Sequence, residues 1–256
     1  MFTDTHTHLY LSEFEPDVTA AVDRAVDAGV RFMLFPNVDL TTVEPMKNLH
    51  SLRTDVTAMA MGLHPTEVKA DYPGTLEQIR NELFRDPSEY VAVGEIGVDL
   101  YWDKTFRKEQ MEAFRQQCEW GVTLDKPVII HCREGLDEVL EVLASLPVPP
   151  RGVFHSFGGT PEDVDRIRKA GDFYFGINGI VTFKNSSLRK TLPHIHPSRL
   201  LLETDSPYLA PVPMRGRRNE SAYLVHTAAH VADALGMTMS DLANLTSNNA
   251  KTLFNL

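Results

Sequence analysis

Short aliphatic runs alternate with amphipathic stretches along the whole chain, a pattern that fits parallel strands joined by helices. The expected strands are Phe2–Thr5, Arg31–Pro36, Val56–Met61, Val91–Glu95, Val128–His131, Val153–His155, Phe173–Ile177 and Leu200–Glu203. Each is short and mostly apolar, as a strand covered on both faces must be. Between the first two, Pro16 to Ala28 places Val18, Val22, Ala25 and Val26 on one helical face, with a proline in the first turn and Gly29 past the end. Thr105 to about Gly121 repeats the pattern with Met111, Phe114 and Cys118, and Thr160 to Gly171 supplies an N-cap, an N1 proline and a terminal glycine. Further helices are expected after Thr75, Leu136, Ser221 and Ser240. Spread over 256 residues, about eight units take about 32 residues each, the size of one strand-loop-helix-loop segment. The chain is therefore expected to form an α/β fold, a TIM (β/α)8 barrel, as a single domain over residues 1–256. The segment Pro207 to Glu220 is too long and too rich in Pro, Gly and Arg to be a simple connector after the last strand.

Composition narrows the function classes. With 43% hydrophobic and 23% charged residues, disorder is excluded as the main state. No apolar run approaches the roughly 18 residues of a membrane span, and the first basic residue is Arg24, so the N-terminus lacks the charged start of a secretion signal. Cys118 and Cys132 stand alone and read as thiols in a reducing compartment. These features predict a soluble, cytoplasmic protein without membrane association, and a monomer is expected. A formal charge of −10 argues against coating duplex nucleic acid by counterion release. It does not exclude action on a polyanion, because carboxylates that hold cations count as negative while the cations do not count.

The chemistry collects where the strands end. His6 and His8 follow the first strand, His64 the third, Glu95 and Asp99 the fourth, His131 the fifth, His155 the sixth, and Glu203 and Asp205 the eighth. In a parallel barrel these ends share one rim, so the pattern predicts a site there. His6 and His8, at i and i+2, can address one cation. Glu95 lies between Gly94 and Gly97, which lets the backbone turn sharply and leaves the acid unobstructed. Arg133 either offers a guanidinium fork to a phosphate or carboxylate or pairs with Glu134 or Asp137. His155 follows an apolar run and alone would read as a core residue, and Cys132 reads as packing. Glu203 and Asp205, also at i and i+2, are expected to lean toward one cavity. So many histidines and carboxylates exceed one tetrahedral site, and two cations sharing a carboxylate is the simpler arrangement. The mixed N and O ligands suit Zn, Mn or Mg.

In this order the motifs resemble the TatD family of metal-dependent deoxyribonucleases, within the amidohydrolase superfamily. The resemblance runs nearly end to end: DTHTHL at 4–9, GLHP at 62–65, GEIGVD at 94–99, IHCRE at 130–134, FHSFGG at 154–159, GIVTFKN at 179–185, LLETDSPYLAP at 201–211, RGRRNE at 215–220 and the terminal NNAKTLF. Gly135 and Ser221 depart from the family pattern and affect only local loop geometry. The resemblance implies a two-metal centre in a TIM barrel, with His6, His8, Glu95 and Asp205 around one ion and Glu95 bridging to a second held by His131 and His155. It implies that His64 and Glu203 lie near the substrate or the attacking water, and that Arg133 contacts phosphate. Glu95 occupies the position where many amidohydrolase relatives carry a modified lysine, which favours the nuclease branch. The expected activity is hydrolysis of DNA phosphodiesters, single-stranded or at strand ends, by metal-activated water, with Asp205 also accepting the water's proton. Arg133, together with Lys184 or one of Arg215, Arg217 and Arg218, is expected to draw in backbone phosphates, with Arg133, Lys184 and Arg217 the residues singled out. The alternative is an ester or amide hydrolase using the same metals, for example on an aminoacyl group of tRNA.

Overall fold

A computed structural model describes residues 1–256. Its strands are β1 (Phe2–Asp4), β2 (Val30–Pro36), β3 (Thr57–Met61), β4 (Tyr90–Asp99), β5 (Val128–Arg133), β6 (Gly152–Phe154), β7 (Phe173–Ile177) and β8 (Leu200–Leu202). The helices are α1 (Val18–Asp27), α2 (Val43–Leu52), α3 (Tyr72–Arg85), α4 (Arg107–Thr123), α5 (Leu136–Ser145), α6 (Pro161–Ala170), the short α7 (Leu188–Thr191), α8 (Leu224–Leu235) and α9 (Met239–Phe254). All eight strands are parallel and hydrogen-bonded in sequence order. Between β8 and β1 the ring is completed by Thr5 N to Leu202 O at 3.1 Å, Asp205 N to His6 O at 2.9 Å and His8 N to Ser206 O at 2.8 Å. The architecture is a TIM barrel. No helix is long and apolar enough to cross a membrane.

Strand alternation divides the buried side chains into two layers. Leu34, Ala58, Ala60, Ala92, Ile129, Val153, Tyr174 and Leu201 form an inner cluster, capped by Ala250, Leu253 and Phe254 of α9. Their neighbours Met33, Phe35, Met59 and Met61 belong to the larger cluster of 55 residues that also takes in side chains from the helices. At the N-terminal end of the sheet, Asn249 of α9 donates to Pro197 O and Leu200 O, both at 2.8 Å. The opposite end is left to polar side chains.

Helix signals in the sequence are met closely at α6. Thr160 accepts from Asp163 N at 3.3 Å while the Asp163 carboxylate accepts from Thr160 N at 2.9 Å, and Pro161 opens the first turn. Three elements differ from expectation, the single-turn α7, absent from the expected helices, being one. α2 was not anticipated, because Pro45 stands within its first turn and its buried face is only Val43, Met46 and Leu49. β4 does not end in a turn at Glu95 but continues to Asp99, with a register shift opposite β5 between Val93 and Ile96. The glycines here serve close approach: a Cβ on Gly97, whose φ is +145°, would lie 1.9 Å from His131 O.

The seam between the first and last strands is held by Asp4. Its buried carboxylate accepts from Thr204 N at 2.9 Å, Thr204 Oγ1 at 2.6 Å and His6 N at 3.3 Å. Burial pushes this carboxyl up to about 7 against the pull of those donors.

Candidate metal centre

The C-terminal rim brings His6, His8, His64, Glu95, His131, His155 and Asp205 into one cluster around the Glu95 carboxylate, which is only 2% exposed. On one side, His6 Nε2 lies 3.1 Å from His8 Nε2, 3.1 Å from Glu95 Oε2 and 3.8 Å from Asp205 Oδ1. His8 Nε2 lies 3.6 Å from Glu95 Oε2 and 3.8 Å from Asp205 Oδ1. On the other side, Glu95 Oε1 lies 2.8 Å from His131 Nδ1, 3.0 Å from His155 Nε2 and 3.3 Å from His64 Nε2.

Hydrogen bonds around the cluster determine which ring nitrogens carry lone pairs. The Tyr10 hydroxyl donates to Pro36 O, so it accepts from His8 Nδ1 at 2.8 Å and leaves His8 Nε2 unprotonated. Asp99 Oδ2 accepts from His131 Nε2 at 2.8 Å, which leaves His131 Nδ1 facing Glu95. Glu203 Oε1 takes Nδ1 of His155 at 3.2 Å, which turns Nε2 toward Glu95. His64 is the reverse case: its Nδ1 accepts from Thr66 N at 3.2 Å, so Nε2 carries the proton and is a donor.

These donors fit divalent cations. Lone pairs held at such separations, with carboxylate oxygens among them, are unfavourable unless a positive charge lies between them. Atoms about 2.0–2.1 Å from a tetrahedral zinc-sized ion stand about 3.4 Å apart, close to the observed spacing. His6 Nδ1 and Glu203 Oε2 are buried without hydrogen-bond partners, and His6 is held instead by its ring stacked on His155, with centroids 3.6 Å apart.

The electrostatics follow from burial opposed by charge. Burial raises Glu95, but the imidazoles of His155, His6 and His64 outweigh it and hold the carboxyl well below its ordinary range. His155 is driven down by burial and up, more strongly, by Glu95 and Glu203. Asp205 is pushed up to about 7, chiefly by burial.

A cavity of about 680 Å³ opens onto the cluster and is lined by His8, His64, Glu95, His131, His155 and Asp205, with Arg133, Trp102 and Tyr208 also on its wall. Glu203 does not line it. β8 ends at Leu202 and Asp205 takes φ +59°, so strand alternation does not carry both acids to one side. Glu203 instead packs behind His155 and accepts from Ser156 N. A Cβ on Gly176 would lie 2.0 Å from its Oε2. Arg133 pairs with neither Glu134 nor Asp137, and its guanidinium stacks over Tyr101 at 3.7 Å. Lys184 and Arg217 are exposed and do not line the cavity. Arg218 is bound to Asp17 at 2.7 and 2.9 Å, and Arg215 lies over Phe183 at 3.9 Å. The orienting groups Tyr10 and Asp99 were not given roles from the sequence. Tyr10 lies in a turn beyond β1 and Asp99 is 32 residues from His131, so no local pattern announced either pairing.

Comparison with known proteins places the chain among related sequences and structures. Residues 3–255 match the model of the family described as TatD related DNase. Over 258 residues the chain is 32% identical to an uncharacterized metal-dependent hydrolase, YabD, of Bacillus subtilis, covering 100% of both. It is 34% identical over 263 residues to a protein of Pantoea ananatis named 3'-5' ssDNA/RNA exonuclease TatD, covering 99% of each. Among solved structures, YjjV of Escherichia coli, a TatD homolog, superposes with a TM-score of 0.91 at 30% identity, over 100% of this chain and 98% of that one.

Proposed function

The chain belongs to the TatD-related DNase family of metal-dependent hydrolases, and from that premise we propose that it hydrolyses DNA phosphodiesters, single-stranded or at strand ends, using two divalent cations drawn from Zn, Mg and Mn. The observation that carries the reading is the set of lone pairs aimed at the two oxygens of Glu95 by Tyr10, Asp99 and Glu203. His6, His8, Glu95 and Asp205 would hold one ion, and Glu95, His131 and His155 the other. When bound, such ions supply Lewis-acid polarisation and charge neutralisation at a phosphoryl group.

The rest of the reaction falls to the side chains. Asp205 turns Oδ1 to His6 and His8 and leaves Oδ2 to accept the proton of the attacking water. His64 donates from Nε2 to a phosphoryl oxygen, and the unpaired Arg133 guanidinium contacts a neighbouring phosphate. Glu203 acts through His155, which it orients. Lys184 and Arg217 sit outside the cavity and would serve only to capture more distant phosphates. We place the activity in a cytoplasmic monomer of one domain. Ester or amide hydrolysis is not favoured, since the relatives near one-third identity that carry a named activity are named as exonucleases of single-stranded DNA and RNA.

The test is removal of metal with a chelator, then add-back of Zn, Mn or Mg singly, with cleavage of end-labelled single-stranded DNA and elemental analysis of the loaded protein. Loss and recovery of cleavage, with two ions per chain, is the expected result. Cleavage indifferent to the chelator overturns the proposal.

A further inference from the structure

Beyond Asp99 the chain presents two consecutive aromatic residues on the surface. Tyr101 and Trp102 meet edge to face, with centroids 4.8 Å apart and planes at 86°. The Arg133 guanidinium covers the Tyr101 ring at 3.7 Å and lies 5.3 Å from the Trp102 ring. Acidic neighbours do not compete for it, because Asp137 is taken by Arg166 and Glu138 by Arg107. Trp102 is 73% exposed, whereas the other tryptophan, Trp120, is 7% exposed. An indole left in water is unusual unless it has a partner to meet. Trp102 also lines the cavity that holds His64, Glu95 and His131.

We propose that Trp102, braced by Tyr101 and Arg133, is the stacking surface for the nucleobase next to the phosphodiester engaged at the metal centre. This rests on the nuclease reading and adds to it the residue that selects the form of the substrate. A net charge of −10 leaves little general attraction for a polyanion, so affinity must come from local contacts. Base stacking on an aromatic ring is such a contact and tolerates any sequence, because every base has a π-face. In a duplex that face is occupied by the neighbouring base, so the surface takes single strands or frayed ends. Arg133, flat on Tyr101, keeps its N–H groups for the adjoining phosphate while its plane continues the aromatic surface. Tyr101 is thus a positioning residue for Arg133.

The experiment compares the metal-loaded wild type with Trp102→Ala and Trp102→Phe, each checked for fold by circular dichroism. Binding of a cleavage-resistant phosphorothioate oligothymidylate is followed by tryptophan fluorescence, and cleavage is followed on a labelled single strand. Quenching in the wild type and its loss in Trp102→Ala are expected, with kcat/KM lower by about 5- to 150-fold, the value of one stacked base, and the loss carried by KM. Trp102→Phe recovers most of it. An abasic residue beside the scissile bond penalises the wild type and adds no further loss in Trp102→Ala. Unaltered KM and additive penalties in a protein that cleaves DNA overturn the stacking surface alone and leave Trp102 to another partner. A wild type that neither binds nor cleaves the oligonucleotide overturns the nuclease reading and this proposal together.

Discussion

Nε2 of His131 lies 2.8 Å from Oδ2 of Asp99, and the carboxylate thereby decides that Nδ1, not Nε2, faces Glu95. Asp99→Ala removes that decision without touching a proposed ligand. The variant is expected to fold, to bind the cation proposed for His131 and His155 about 10–100-fold more weakly, and to regain activity when metal is raised. Asp99→Asn, whose amide oxygen can still accept, should fall between the two. Isothermal titration with the metal checks this, and equal affinity in Asp99→Ala removes the orienting role.

Metal removal should show in stability as well as in turnover. A cation at about 100 times its Kd, binding only the native state, stabilises it by about 2.7 kcal/mol. For a chain of this length that is a Tm rise of about 5–10 °C. Scanning calorimetry with and without chelator measures it, and Glu95→Gln should abolish most of the difference. A Tm that ignores the chelator contradicts the cluster as a metal centre.

Burial pushes Asp205 up to about 7, His155 opposes the rise, and Glu95 and Glu203 add to it. In the unfolded chain the same carboxyl titrates near 4, so this group makes the metal-free fold lose stability as pH climbs from about 4 to 7. Cation binding works in the other direction, because the proton on Asp205 must leave first. Affinity should therefore rise by about a factor of ten or more per pH unit below 7. Competition with a chromophoric chelator between pH 5.5 and 8 reads the slope, and a flat profile removes Asp205 from the ligands.

Gly176 allows Glu203 to reach His155. An alanine there would set its Cβ 2.0 Å from Oε2 of the fully buried Glu203. Gly176→Ala is expected to cost about 1–3 kcal/mol by overpacking and to lower metal affinity through the misplaced His155. Thermal denaturation and metal titration of one variant separate the two effects. Unchanged values in both would mean that Glu203 relaxes freely.

The barrel was legible because each strand is a short apolar run with punctuation around it, and the rim because polar residues follow those runs directly at His6, His131 and His155. Most of what escaped depended on contacts distant in sequence. The Gly94–Asp99 segment reads locally as a turn, and only the approach of His131 O to Gly97 reveals it as a strand. Pro45 hid α2. The arginines after β8 were open to phosphate until Asp17, some two hundred residues earlier, was seen to hold Arg218. Glu203 and Asp205 share a spacing but not an environment, since the strand ends before either.

His6 and Asp205 meet across the seam where the first strand adjoins the last, with Asp205 N donating to His6 O at 2.9 Å. The group formed by His6, His8 and Asp205 therefore has no partial form. A nascent chain emerging from a ribosome cannot bring these three side chains together until both edges of the sheet have been synthesised and joined.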